Sequence, residues 1–168
     1  GNLNVTGNIT ATADNGKFIS GAGDDLQIFH NGSDSIIHNT AGSLYLRTGT
    51  GFNVQNAGGT ETYLYATENS GVVLKYNNIS VFETNGSGIT IYGPEGGDGI
   101  IYLFADEGDD NGDKWRLYAE ADTSRLQIEN KASGSWEANI VADGNGSVDL
   151  YYDNSKKFST TANGVTVY

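Results

Sequence analysis

The chain has 168 residues, with 21 acidic side chains against 9 Lys and Arg, for a formal charge of −12. That charge repels polyphosphate backbones and anionic lipid, so nucleic acid and membrane insertion are not expected. A single Pro, no Met and few helix formers exclude a collagen helix and a helical bundle.

Gly, Asn, Thr and Ser fill 70 positions, yet ten Tyr, six Phe and two Trp are too many aromatics for a disordered chain. Cys is absent, which removes disulfides, thiolate nucleophiles and cysteine metal sites together. No charged-then-apolar leader is visible, and no apolar run reaches about 18 residues, so neither a signal peptide nor a membrane span is expected.

Taken in chain order, short stretches alternate apolar and polar residues: Leu3 and Val5, Leu26 and Ile28, Leu44 and Leu46, Phe52 and Val54, Leu74 and Tyr76, Ile89 and Ile91. The pattern resumes at Leu126 and Ile128, at Val148, Leu150 and Tyr152, and at Val165 and Val167. A period of two marks half-buried strands. Residues 114–121 could be argued as helix, but Asp122-Thr123-Ser124 ends them early, and they read as strand. Asn-Gly pairs at Asn15, Asn31, Asn85, Asn111, Asn145 and Asn163, with Asp98-Gly99 and Asp143-Gly144, punctuate the alternation. Such pairs accept the positive φ of tight turns, so many short hairpins are expected.

An internal repeat organises these strands. Residues 71–92 align with residues 147–168 at a constant offset of 76, with nine of 22 positions identical. The matched positions are alternating apolar residues and turn residues, as expected of a repeated strand-turn-strand unit. Phe52-Asn53-Val54 resembles Leu126-Gln127-Ile128 at an offset of 74. Leu3-Asn4-Val5 reads like the module end Ile89-Thr90-Ile91, so the chain is expected to be a segment of a longer array. The expected division is residues 1–16 as the tail of a preceding module, 17–93 as a first β-repeat module and 94–168 as a second.

Several of these runs carry a resemblance. Residues 21–33 (GAGDDLQIFHNGS), 56–62 (NAGGTET) and 150–158 (LYYDNSKKF) resemble repeats in tail-fibre and other virion structural proteins of marine tailed phages. So do residues 113–118 (DKWRLY) and 132–137 (ASGSWE). The resemblance implies an elongated repetitive β-structure of short hairpins, β-prism or β-helix in style, assembled as an intertwined homotrimer. It further implies a shaft or connector located in the virion and extracellular, partnered by itself and by other fibre or baseplate proteins. No catalytic residue carries over, and neither enzymatic activity nor a cofactor is expected. An adhesin tip contacting host surface glycan is the alternative reading, and a polysaccharide depolymerase a more distant one.

Strands this short each offer two or three apolar side chains, so one chain alone would build thin cores with open edges. Copies meeting at Leu74, Tyr76, Phe82, Ile89, Ile91, Leu150, Tyr152, Phe158, Val165 and Val167 would supply the missing core. Tyr76, Tyr92, Tyr152 and Tyr168 recur at repeat positions and are expected to fill cross-strand packing sites. Trp115 and Trp136 lack partners in the first module and are the candidate sugar contacts. Two weaker metal candidates remain. Glu107, Asp109, Asn111 and Asp113 have the alternate-residue spacing of a calcium loop, but position 118 is Tyr where a bidentate Glu is wanted. His30 and His38 flank a turn and could meet symmetry copies on an axis.

Overall fold

A computed structural model describes residues 5–168. Among them the chain forms fifteen strands and no α-helix, which is the expected all-β class. Strands β1 (Lys17–Ser20), β2 (Leu26–His30) and β3 (Ser35–Asn39) make a three-stranded sheet. A five-stranded sheet follows in chain order: β4 (Gly51–Gln55), β5 (Thr62–Thr67), β6 (Val72–Tyr76), β7 (Ile79–Asn85) and β8 (Gly88–Ile91). The last sheet has seven strands: β9 (Gly99–Phe104), β10 (Lys114–Glu120), β11 (Arg125–Asn130), β12 (Glu137–Asp143), β13 (Val148–Tyr152), β14 (Ser155–Thr161) and β15 (Gly164–Val167). Every pairing is antiparallel between sequence neighbours, and no sheet closes on itself. Compact units comprise residues up to Arg47 and residues from Thr48 onward.

One expected strand is corrected, and another lies mostly outside the described residues. Leu44 and Leu46 alternate as a strand should, yet residues 43–48 belong to none, because the alternation has no strand paired beside it. Leu3 and Asn4 lie outside the described residues, together with the first part of the expected 1–16 tail, and Val5 is in no strand. Residues 114–120 are strand β10, as read from the sequence.

The offset-76 repeat is a repeat of geometry. In the first copy Leu74 pairs with both Leu64 and Phe82, and in the second Leu150 pairs with both Ile140 and Phe158. Both β6–β7 and β13–β14 shift register one residue past that point, at Leu74/Lys75 and Leu150/Tyr151. The Val72 N–H donates to Thr84 Oγ1 at 2.9 Å, and the Val148 N–H donates to Thr160 Oγ1 at 2.8 Å. The upstream match holds as well, since β4 and β11 each shift register, at Val54/Gln55 and Ile128/Glu129.

Four hairpins close with two-residue loops, and two of them use expected Asn-Gly pairs, Asn85-Gly86 between β7 and β8 and Asn163-Gly164 between β14 and β15, while the other two do not. Asn77-Asn78 joins β6 to β7 and Asp153-Asn154 joins β13 to β14, with φ of 49°, 63°, 50° and 54°. Positive φ at both central residues is the type I′ arrangement, whose twist matches the flanking strands, and Asn and Asp tolerate it. Asn31 instead caps the β2–β3 loop, its Oδ1 accepting from the Ser33 and Asp34 N–H groups at 2.9 and 2.7 Å. The passage from β8 to β9 folds tightly at Pro94, where the Gly97 N–H donates to the Pro94 carbonyl at 2.8 Å. A Cβ on Gly93 would stand 2.3 Å from the Gly97 carbonyl oxygen, so only glycine fits there.

Candidate functional site

Residues directly opposite on paired strands share a face of the sheet. One face of the five-stranded sheet therefore carries the row Val54, Leu64, Leu74, Phe82 and Ile91. The seven-stranded sheet carries the longer row Ile101, Leu117, Ile128, Ile140, Leu150, Phe158 and Val167. Leu74, Tyr76, Phe82, Ile89 and Ile91 fall on the first of these faces; Leu150, Tyr152, Phe158, Val165 and Val167 fall on the second. The structure gathers all ten candidate core residues on apolar faces, and a single chain buries none of them. Leu74 is 40% exposed and Leu150 41%, although both have paired apolar neighbours on either side in their rows.

The opposite faces mix polar and apolar side chains, and they hold the buried residues. Tyr118, Gln127, Val141, Asp149 and Ser159 lie in one cross-strand row of the seven-stranded sheet and are all buried. Long side chains cover one another there through ion pairs and hydrogen bonds. The Arg116 guanidinium bonds Glu129 at 2.6 Å and lies over the Tyr118 and Trp136 rings, 4.5 and 4.6 Å from their centroids. Burial pulls the Arg116 guanidinium down while Glu129 pushes it up, for a net rise above its ordinary value. Burial and the Glu129 charge together raise the Tyr118 phenol. The Ser159 hydroxyl donates to Asp149 Oδ1 at 2.5 Å, and Lys156 pairs with Asp149 Oδ2. Hydrogen bonds from Lys156 and then Ser159 hold the Asp149 carboxyl below its ordinary range, and Asp149 in turn raises Lys156.

The tryptophans are not brought together. Trp136 packs 6.0 Å from Tyr102 on the polar side. Trp115 precedes Arg116 on β10, so it points to the apolar side, opposite Leu103. There it lines a cleft of about 600 Å³ with Leu103, Phe104, Leu117 and Ile128. The repeated tyrosines differ from their expected role: Tyr76, Tyr152 and Tyr168 are exposed at hairpin and strand ends, where one chain offers no neighbour to cover them. Tyr92 is anchored by its hydroxyl, which donates to Glu83 at 2.7 Å, and that bond raises its phenol.

The metal candidates regroup. Asp109, Asp110 and Asp113 bring carboxylate oxygens within 4.8 Å of one another, so Asp110 joins Asp109 and Asp113 while the Glu107 carboxylate stands outside the group. The trio arises because two short 3₁₀ turns, Asp106–Gly108 and Asn111–Asp113, fold the loop back on itself. His30 pairs opposite Ser35 and His38 opposite Gln27, which puts the two imidazoles on opposite faces of the β2–β3 hairpin. No helix among the described residues is long and apolar enough to cross a membrane.

No protein-family model matches the chain. No curated protein and no solved structure is significantly similar to it. The feature that chemistry must explain is thus the chain's own: two repeat sheets whose apolar faces lie open.

Proposed function

We propose that the chain is a structural shaft or connector segment of a phage tail fibre, assembled as an intertwined homotrimer. The observation that carries this reading is the apolar face left open on each repeat sheet, with its rows running unbroken across five and seven strands. A sheet with one apolar face needs a second layer, and the described residues of one chain provide none. Three such faces turned toward a common axis close a β-prism, and the resemblance to tail-fibre repeats supplies the number three. Repetition supports the same reading, because stacking a unit of fixed geometry lengthens a shaft without new design. Its partners are then its own copies and neighbouring fibre or baseplate proteins, in the virion and outside the cell. An adhesin tip would want its tryptophans on one platform, whereas Trp115 and Trp136 stand on opposite sides of β10.

Light scattering on the purified chain at micromolar concentration tests the assembly. The expected mass is three times the 17.8 kDa of one chain. A particle of 17.8 kDa with a cooperative thermal transition would sink the reading.

A further inference from the structure

We propose that the outer edge of β4 is a strand-acceptor site whose occupant is residues 44–47 of a second copy of the chain. This rests on the assembly proposed above and names the segment that interlocks it.

In the seven-stranded sheet β11 is flanked by β10, through Leu117 opposite Ile128 and Ala119 opposite Leu126. Strand β4 is the counterpart of β11, sharing its register shift and its place before the next four strands of the repeat. Yet β4 is the edge strand of its sheet among the described residues. An edge strand presents unpaired N–H and C=O groups along its length and is a template for another strand.

Residues 44–47 carry the pattern of the missing strand. Leu44-Tyr45 matches Leu117-Tyr118 of β10. Laid antiparallel on β4, the segment sets Leu44 opposite Val54, Tyr45 opposite Asn53, Leu46 opposite Phe52 and Arg47 opposite Gly51. Leu44 then extends the row of Val54, Leu64, Leu74, Phe82 and Ile91, as Leu117 extends the longer row. Tyr45 meets Asn53 as Tyr118 meets Gln127. A slip of one residue would turn both leucines to the polar face, so the pattern selects this register. The segment now stands in no strand, with Tyr45 73% and Leu46 62% exposed.

Loop chemistry favours a neighbour's segment over the chain's own. Same-chain pairing in this register leaves the three-residue loop Thr48-Gly49-Thr50. Such loops place their third residue in the left-handed region, and here that residue is the β-branched Thr50, with Gly49 one position early. The corresponding turn before β11 has four residues, and Ser124 supplies its positive φ of 57°. Exchange between copies leaves Thr48–Thr50 extended and needs no positive φ. Short connections that resist closure are where strands exchange between protomers.

The chain has no Cys, so a designed pair reports the register directly. Opposed residues on antiparallel strands have Cα atoms about 4.5–5.5 Å apart, within disulfide reach. Oxidation of the Tyr45→Cys/Asn53→Cys double variant should give covalent dimers and trimers on a non-reducing gel, while Tyr45→Cys alone stays single-chain. Single-chain bands with both thiols consumed would mean same-chain closure and overturn the exchange. Single-chain bands with thiols still titrating, or an equal ladder from Tyr45→Cys alone, would overturn the acceptor site. Leu44→Cys/Val54→Cys repeats the test on the other face, should the first variant fail to fold. Light scattering on the unaltered chain reads assembly separately: a trimer without cross-links removes the exchange and leaves the shaft reading standing.

Discussion

Asp149 occupies the position that Val73 holds in the first repeat, and both are buried, at 3% and 5% exposure. The substitution of a carboxylate for an apolar side chain is tolerated because Lys156 and Ser159 engage both carboxylate oxygens. A carboxyl held below its ordinary range stabilises the fold fully above the unfolded pKa of about 4, and that stabilisation is lost as pH falls through the lower folded value. Melting temperatures of the unaltered chain and Asp149→Asn should therefore differ most near neutrality and converge in acid, below roughly pH 4. A gap that stays constant down to strong acid would show that the charge on Asp149 plays no part. The repeat alignment made the position legible in the sequence as a polar exception to a conserved geometry. Its partners were not legible, because Lys156 faces Asp149 only across a hairpin that shifts register between Leu150 and Tyr151.

At the scale of elements, alternation found strands wherever both faces of a strand differ in polarity, as at Phe52 to Val54 or Leu126 to Ile128. It missed β14, whose residues 155–161 (SKKFSTT) hold one apolar side chain and form a strand because β13 and β15 pair on both sides. It missed β9 for the opposite reason, since residues 99–104 (GIIYLF) are apolar without a period. At Leu44 the pattern is present and the strand is not, so periodicity reports which face a residue prefers and not whether a neighbour is at hand. The type I′ turns carry no Asn-Gly pair, and the signal they do carry is that Asn78 and Asn154 are identical between the two repeats. These two turns are expected to differ in strength. Asn78 accepts from the Thr62 N–H and donates to the Thr60 carbonyl, both at 2.9 Å, tying the β6–β7 turn to the start of β5. Asn78→Ala loses those two hydrogen bonds as well as the tolerance for positive φ, for about 2–3 kcal/mol. Asn154→Ala loses mainly the φ tolerance, about 1 kcal/mol. Urea titrations with equal slopes would check the order, and equal midpoints for the two variants would refute it.

For the whole molecule, the open apolar rows on the two repeat sheets are what resists a single-chain account. Association between copies would cover them. Charge works against it, since tripling a formal −12 raises the repulsion that added salt screens. The balance can be tested with one charge placed on either face of the same hairpin. Phe158 stands in the apolar row between Leu150 and Val167, and Thr166 stands on the opposite face beside Ser159. Both Phe158→Asp and Thr166→Asp add a single negative charge, so long-range repulsion is matched between them. If the apolar faces meet in the assembly, Phe158→Asp places one carboxylate from every copy in a dry layer, at a cost of several kcal/mol each. Phe158→Asp should then sediment as single chains at micromolar concentration, and Thr166→Asp should keep the assembled mass. Equal masses for the two variants, with Phe158→Asp melting as the unaltered chain does, would show that the face of β14 carrying Phe158 stays in solvent.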